Sequence, residues 1–250
     1  MRSLVILPTY NEIATLPTLL AAILAHDPPW DILIIDDNSP DGTGALADTW
    51  HRRDPRRIIV RHRPHRQGLA SAVLAGFQYA QTHHYDRIVH MDADGSHHPD
   101  VLPRLARALD TADVVVGSRY VPGGQTPDWP WRRRLLSRWG SWYAHLWLNM
   151  PIADVTSGFK GFRLAALQRL DFRMIRATGF AFQIEVVYQA WQRHLTIEEI
   201  PITFTDRQAG RSKLSWSTIA EALIIVPALR WTPPIASPTP TDRMTQPPPR

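Results

Sequence analysis

Two carboxylates stand two residues apart in the segment HMDADGSHHP, directly after an apolar run. In an extended segment, residues i and i+2 point to the same side, so Asp92 and Asp94 would face one volume. Two unneutralised charges there would disfavour each other's ionisation, whereas Mg²⁺ or Mn²⁺ would bind both carboxylates together with phosphate oxygens. Ser96, His97 or His98 could add a ligand. An ordinary solvated turn is the alternative, because Asp-Gly-Ser is good turn chemistry.

Polar clusters also follow two earlier apolar runs. DDNSPDGT places Asp36 and Asp37 where either could accept hydrogen bonds from a ribose or a base. PTYNE lets the backbone after Pro8 flank a base, with Tyr10 as a flat wall. Both segments are rich in residues that form turns and cap helices, so a purely structural interpretation stays open for each.

Basic residues collect in the second half of the chain. Arg119 follows a strand-like run in GSRY, Arg132 to Arg134 begin a predicted helix, and Arg207, Arg211 and Lys213 belong to the loop DRQAGRSK. Guanidinium forks match phosphate oxygens, so converging cations would form a phosphate clamp. Each cation taken alone could equally be a solvated surface charge.

The elements that must position these residues follow a regular order in the first half. Short apolar runs, typical of strands buried on both faces of a parallel sheet, alternate with segments of helical spacing. The runs are SLVIL (3–7), DILII (31–35), RIIV (57–60), RIVHM (87–91) and DVVVG (113–117). This order predicts an α/β doubly wound sheet, in which ligands bind at the carboxyl ends of the strands. The polar clusters would therefore share one sheet edge.

The second half predicts helices near 131–149, 182–193 and 215–230, and a strand at 195–205. Residues 1–230 would form one domain, and the Pro-rich tail 231–250 would be disordered, since it has little to bury. Two of the helices carry apolar stripes. The stripe residues of the first are Trp131, Leu135, Trp139, Trp142 and Leu146, and those of the last are Ile219, Leu223, Ile224, Val226 and Leu229. Such stripes would lie in a membrane's headgroup region or pack on the sheet.

Composition narrows the class of protein. The 250 residues include no cysteine, which excludes disulfides, thiolate metal sites and cysteine catalysis and fits a reducing cytoplasm. The net charge of +5 suits anionic partners such as nucleotides, phospholipids or nucleic acid. No apolar run approaches the roughly 20 residues of a membrane span, and the N-terminal run is too short for a signal peptide. We therefore expect a chain that is neither secreted nor membrane-spanning.

Seven motifs together resemble polyprenol-phosphate (dolichol-phosphate) mannosyltransferases, which are family-2 glycosyltransferases with a GT-A fold. They are PTYNE, DDNSPDGT, DADGSHHP, GSRY, DVTSGFKGF, GFAFQIE and PITFTDRQAGRSK. The likeness extends from Val5 to about Arg230. One departure is RQGLA at 66–70, where the family often has KxGLG.

The resemblance implies a set of site residues. Those implied to bind the nucleotide sugar are Pro8, Tyr10, Glu12, Ile35, Asp36, Asp37, Asp92, Ala93, Asp94, Arg207 and Lys213. Those implied to bind the lipid phosphate are Arg119, Arg133, Ser137 and Arg207. Asp92 and Asp94, with Ser96 as a third candidate, would hold Mg²⁺ or Mn²⁺. The groups expected to take part in catalysis are Asp94, Arg119 and Arg133.

The implied reaction is inverting transfer of mannose from GDP-mannose to a polyprenyl monophosphate. The implied partners are those two substrates, a membrane surface bound peripherally on its cytoplasmic face, and a membrane-anchoring protein, with no nucleic acid. A UDP-sugar-dependent glucosyl- or N-acetylhexosaminyl-transferase is the enzymatic alternative, but such relatives usually read DDGS where this chain reads DDNSPDG. A basic and aromatic membrane- or nucleic-acid-binding module is the non-enzymatic alternative.

Overall fold

A computed structural model of the chain describes residues 1–177, 179, 181–206 and 216–231, with the backbone alone at 216–220. The strands are β1 (Ser3–Thr9), β2 (Asp31–Asp36), β3 (Ile58–His62), β4 (Arg87–His90), β5 (Val114–Ser118), β6 (Lys160–Arg163) and β7 (Ile197–Pro201). The helices are α1 (Leu16–Leu24), α2 (Thr43–Arg53), α3 (Leu69–Thr82), α4 (Leu102–Ala108), α5 (Trp131–Leu148), α6 (Leu164–Leu167), α7 (Ala181–Gln192) and α8 (Trp216–Arg230). Most of the predicted tail, from residue 232 onward, lies outside the described residues.

The strands form one sheet in the order β3-β2-β1-β4-β6-β5-β7. Its neighbours pair in parallel, except that β6 runs antiparallel between β4 and β5. The predicted α/β doubly wound, mostly parallel sheet is therefore confirmed. The sequence patterns do not predict β6, and β7 is shorter than the strand predicted at 195–205.

Helices cover both faces of the sheet, which explains why the strands are apolar at nearly every position. Alternate residues of β1 enter opposite cores: Val5 and Leu7 pack in a cluster with α1 and α4, while Leu4 and Ile6 pack in a cluster with α3 and α7. Because side chains alternate along a strand, burial of both faces requires an unbroken apolar run. A third cluster lies among α5, α7 and α8.

The stripe of α5 faces away from this core. All five of its stripe residues are exposed, with Trp131 at 68%, and the helix packs through Ser141, Ala144 and Leu148 instead. The interpretation in which the stripe packs on the sheet is therefore wrong. On α8 the predicted stripe divides, because Val226 and Leu229 are buried while Leu223 and Ile224 are exposed.

Gly76 sets the distance between α3 and the sheet. A Cβ added there would lie 2.5 Å from Ile6 Cγ2, closer than packed side chains tolerate. We expect Gly76→Ala to lower the free energy of unfolding by about 1–3 kcal/mol through overpacking, as measured by urea denaturation. The matched control is Gly140→Ala on α5, where an added Cβ meets nothing within 4 Å. That change should be neutral or stabilise by up to about 1 kcal/mol, and equal effects of the two changes would contradict this account.

Candidate active site

The polar clusters predicted to share a sheet edge do share it. The parallel strands β1, β2, β4 and β5 all present their carboxyl ends there. Because β6 is antiparallel, its amino end lies at the same edge and brings residues 154–159 with it. Segments distant in sequence thus meet at one place, as doubly wound sheets require of a ligand site.

Asp36 and Asp37 are both buried, and both carboxylates are hydrogen-bonded within the protein. Asp36 accepts from the hydroxyls of Thr9 at 3.0 Å and Ser39 at 2.6 Å, which ties the end of β1 to the loop after β2. Asp37 accepts from Arg63 Nη1 at 2.8 Å and from the backbone N–H groups of residues 67 and 68 at 2.9 and 2.8 Å. The two carboxylates therefore hold together the segments that follow β1, β2 and β3 at this edge.

The segment at 66–70, where the sequence departs from the family motif, leads into the start of α3. Gly68 has a φ of 89°, a left-handed conformation that glycine adopts without strain. Ala70, where the family often has a second glycine, lies inside α3, where alanine is the better helix former. Arg66 lies over the ring of Tyr10, 4.2 Å from its centroid, so the predicted flat wall carries a cation on one face.

The remaining residues implied for the nucleotide lie at the ends of β1 and β2. Pro8 pairs in register with Ile35, whose side chain is buried in the core, so the backbone of Ile35 is the part nearest the edge. Glu12 is buried, and its backbone N–H donates to Thr43 Oγ1 at 2.9 Å. This contact joins the segment after β1 to the start of α2.

Asp92 and Asp94 lie just beyond β4. Asp94 is buried, and its Oδ1 accepts from the backbone N–H of Ser96 at 3.1 Å and from its hydroxyl at 2.6 Å. Asp92 packs against Gly158, where an added Cβ would lie 3.1 Å from a carboxylate oxygen. The backbone between them is anchored through Ala93, whose carbonyl accepts from Thr15 Oγ1 at 2.7 Å.

This pair of carboxylates has the oxygen donors that Mg²⁺ or Mn²⁺ prefers. Over the described ranges, no group of three or more histidine, aspartate or glutamate side chains converges as a metal cage. Mg²⁺ commonly uses one or two carboxylates and completes its shell with water and substrate phosphate, so the donor set fits. The hydroxyl of Ser96, the candidate third ligand, serves as a hydrogen-bond donor to Asp94.

His97 is a core residue. Its ring stacks on Phe159 with centroids 5.0 Å apart, and its Nδ1 accepts from the backbone N–H of Asp92 at 3.0 Å. Burial lowers the pKa of His97 to about 4, so the imidazole is neutral near pH 7. His98 Nε2 lies 3.4 Å from Thr205 Oγ1. Both histidines thus contribute to packing around the carboxylates.

Arg119 forms a buried, two-pronged ion pair with Asp154. Its Nε and Nη2 donate to the two carboxylate oxygens at 2.7 and 2.6 Å, and its backbone N–H donates at 2.9 Å. Burial would raise the pKa of Asp154, but the Arg119 guanidinium and its hydrogen bonds hold it below the ordinary value. Nη2 also donates to Thr156 Oγ1 at 2.8 Å. The pair therefore fastens the end of β5 to the segment that precedes β6.

The other residues implied for the lipid phosphate lie near Arg119 or outside the described ranges. Arg133, in the first turn of α5, pairs with Asp206. Ser137, one turn further along, lies beside the side chain of Tyr120. Arg207 and Lys213 lie outside the described residues.

Lys160 is a component of the site that the sequence analysis missed. It is fully buried, and its Nζ donates to the Gln183 side-chain oxygen at 2.8 Å and to the Ser157 carbonyl. Burial lowers the pKa of Lys160 to about 7, against the opposing pull of Asp154 and Asp92. The sequence does contain a sign of this buried polar pair. A lone lysine inside GFKGF and a lone glutamine inside GFAFQIE interrupt segments that are otherwise apolar enough to be buried in the core.

The chain is similar to characterised glycosyltransferases over most of its length. Residues 4–171 match the family model described as Glycosyl transferase family 2. Polyprenol monophosphomannose synthase of Mycolicibacterium smegmatis is 45% identical over 226 residues, 90% of this chain and 85% of that protein. Undecaprenyl-phosphate mannosyltransferase of Micrococcus luteus is 43% identical over 231 residues, 92% of this chain and 94% of that protein. These relatives confirm the family resemblance that the motifs predict.

More distant matches agree with these. Dolichol-phosphate mannosyltransferase of Pyrococcus furiosus is 35% identical over 228 residues, 89% of this chain and 62% of that longer protein. Glucosyl-3-phosphoglycerate synthase of Mycobacterium tuberculosis superposes with a TM-score of 0.68 at 18% identity, covering 93% of this chain and 80% of the other. At that identity the structural match supports the fold alone.

The lowered pKa of Lys160 predicts a pH-dependent stability. Between the folded pKa of about 7 and an unfolded pKa near 10.4, the unfolded chain binds a proton that the folded protein does not. Raising the pH through this window therefore favours folding, by up to about 1.4 kcal/mol per pH unit. In metal-free protein, the free energy of unfolding of wild type should rise from pH 7 to 9.5 relative to Lys160→Met.

Arg163→Met, on the same strand, serves as the control, because a guanidinium keeps its charge throughout this range. Its stability curve should run parallel to that of wild type. A Lys160→Met curve that also ran parallel would mean that Lys160 is charged in the folded protein.

Proposed function

The chain belongs to glycosyl transferase family 2, and we propose that it transfers mannose from GDP-mannose to a polyprenyl monophosphate. The carrying observation is the juxtaposition, at one sheet edge, of the Asp92–Asp94 pair with the buried guanidinium of Arg119. In this proposal the carboxylate pair would hold a metal for the diphosphate, and Arg119 would bind a second phosphate. The sugar and the lipid-phosphate acceptor in the proposal follow the names of the relatives that are 43–45% identical.

The choice of GDP-mannose over a UDP-sugar follows the segment DDNSPDG. Within the family, transferases that use UDP-sugars usually read DDGS at this place. Two side chains of this longer loop are hydrogen-bonded: Ser39 Oγ accepts from the backbone N–H of Asn11 at 3.1 Å, and Asp41 accepts from Thr43 N at 3.0 Å. The loop is therefore held as one body against the segment after β1, beside Tyr10.

The chemistry needs no strong general base. A phosphate monoester has its second pKa near 6, so the acceptor is largely dianionic at neutral pH and already carries the nucleophilic charge. Its oxygen attacks the anomeric carbon while the bond from that carbon to the diphosphate breaks, which releases GDP. Displacement from the opposite face inverts the anomeric centre and gives a β-linked product.

Different residues would interact with the leaving diphosphate and with the acceptor phosphate. Asp92 and Asp94 would hold Mg²⁺ or Mn²⁺, which when bound supplies positive charge to the departing diphosphate. Arg119 and Arg133 would bind and orient the acceptor phosphate, and their charges would lower the repulsion between two anionic substrates. Arg207 and Lys213 are predicted to bind the same diphosphate and acceptor phosphate.

The reaction is tested with labelled GDP-mannose and labelled UDP-glucose, each with polyprenyl phosphate, with and without EDTA. We expect a labelled lipid from GDP-mannose only, and its loss in EDTA. Label from UDP-glucose only would overturn the donor assignment. Salt-dependent binding to nucleic acid with no turnover would favour the non-enzymatic alternative.

Asp94→Ala tests the metal role directly. We expect mannose transfer to fall by at least about 100-fold, because the metal would lose a buried carboxylate ligand, while the thermal unfolding midpoint stays close to that of wild type. The matched control is Asp100→Ala, six positions on and exposed, which should retain activity within about twofold. Equal activities of the two variants would rule out the role assigned to Asp94.

The exposed apolar face of α5 and α8 is the part of the protein that we propose contacts the membrane. The two helices pack together, and the side chains on their outer surface are Trp131, Leu135, Leu136, Trp139, Trp142, Leu146, Leu223 and Ile224, the last 73% exposed. Arginines 132 and 138 lie among them. An amphipathic surface of Trp and Leu with basic neighbours suits the headgroup layer of an anionic leaflet. Across the described part of the chain, no helix has the length and hydropathy of a membrane span.

We also propose that the protein acts on the cytoplasmic face of the membrane, in agreement with a chain that has no cysteine. A membrane-anchoring protein partner also stays a prediction. It would become necessary if the apolar face alone failed to hold the protein on lipid.

The membrane role is measured by co-sedimentation with vesicles of phosphatidylglycerol and phosphatidylcholine at physiological salt. The double change Trp139→Ser and Trp142→Ser should weaken binding by at least about tenfold, because two interfacial aromatic side chains are lost. Trp191→Ser is the control: Trp191 on α7 is 39% exposed, close to the 41% of Trp139. Vesicle binding that both variants lose equally, or that wild type lacks, would exclude this face as the membrane contact.

A further inference from the structure

Arg119 and Arg133 share one aromatic ring. Their guanidinium carbons lie 5.2 and 4.2 Å from the ring centroid of Trp129, both within the range of cation–π attraction. The indole is only 6% exposed and the Arg119 side chain 8%, so water screens that contact little, while the Arg133 side chain is 34% exposed. Two guanidinium groups that would otherwise repel each other are thus attracted to the same electron-rich ring.

Each guanidinium also pairs with a carboxylate. Arg119 is held by buried Asp154, and Arg133 by Asp206, which is partly exposed. The ion pairs fix each cation to a different segment, one preceding β6 and the other following β7. Among the described residues, Trp129 is the aromatic ring that contacts both cations, and it can therefore set the distance between them.

Trp129 is itself fixed to the carboxylate side of the site. Its ring packs edge-to-face on Phe204 with centroids 5.3 Å apart, and Phe204 packs in the same manner on His97 at 5.2 Å. The segments of His97 and Phe204 also form a backbone bridge. A line of rigid rings therefore connects the Asp92–Asp94 segment to the two cations.

We propose that Trp129 is a positioning residue for the acceptor phosphate, holding Arg119 and Arg133 at the separation at which both guanidinium groups bind one phosphate. This inference rests on the proposed function, in which these two arginines bind the acceptor. Trp129 lies in the loop before α5, and its role depends on neither a charge nor a hydrogen bond of its own. Its ring attracts both guanidinium groups and so fixes the distance between them.

The proposal is tested by direct binding of a short-chain isoprenyl phosphate, measured by calorimetry without any sugar donor. Trp129→Leu should raise the Kd by about tenfold, because both guanidinium groups lose the aromatic face that attracts them. Trp129→Phe keeps an aromatic face and should raise it by no more than about threefold. Should Trp129→Leu fail to fold, the Phe variant still carries the test, since its Kd should lie above that of wild type.

A double-mutant cycle separates positioning from general structural damage. If Trp129 acts through Arg133, Trp129→Leu should change the Kd by less than about twofold in an Arg133→Gln background. In steady-state assays, Trp129→Leu should raise KM for the lipid phosphate about tenfold while KM for GDP-mannose stays within about twofold.

The outcomes distinguish the two proposals. If wild type fails to bind the isoprenyl phosphate, the proposed acceptor is wrong. If wild type binds it and Trp129→Leu binds it equally well, or loses affinity equally in both backgrounds, the positioning role of Trp129 is overturned while the proposed function stands.

Discussion

Arg119 and Asp154 are both buried, and removing two such charges from water costs on the order of several kcal/mol per ion unless geometry compensates. Here the compensation is a two-pronged pair with a third hydrogen bond from the backbone of Arg119. The pair joins the end of β5 to the segment before β6, which in turn carries Gly158 to its place against Asp92. Removing either partner would leave a charge buried without its counterion, so the proposed acceptor side and the proposed metal side of the site depend on one interaction.

Charge around the site is arranged before any substrate binds. The carboxylates of Asp92 and Asp94 lie beyond β4, while Arg119 and Arg133 lie beyond β5 and at the start of α5. Near them lie two buried groups with lowered pKa values: a histidine that burial keeps uncharged, and a lysine whose pKa burial lowers to about 7. A fixed arrangement of this kind lets an enzyme stabilise a charge that develops during reaction without reorganising its own dipoles.

Much of this could be predicted from local patterns, because parallel strands must be apolar on both faces and their polar successors must meet at one edge. The sequence could not place β6, since KGFR is short and contains two cations, and its pairing with β4 and β5 arises from residues more than 40 positions away. For the same reason the sequence predicts no role for Lys160 and Gln183, although both lie within motifs. The stripe of α5 was visible as a pattern, yet its direction depended on which helices pack against it.

The sequence alone determined the alternation of elements, the shared edge, the carboxylate pair and the family, since each follows from local periodicity or from short motifs. The tertiary structure decided which neighbours hold each polar side chain of the site in place. Asp36, Asp37, Ser96 and His97 each make hydrogen bonds within the protein, as do Asp94 and Arg119, to which the proposed function assigns binding roles. The hydrogen bonds of Asp36 to Thr9, Asp37 to the backbone of residue 67 and Arg119 to Asp154 join residues 27, 30 and 35 positions apart, so they form only when distant segments pack.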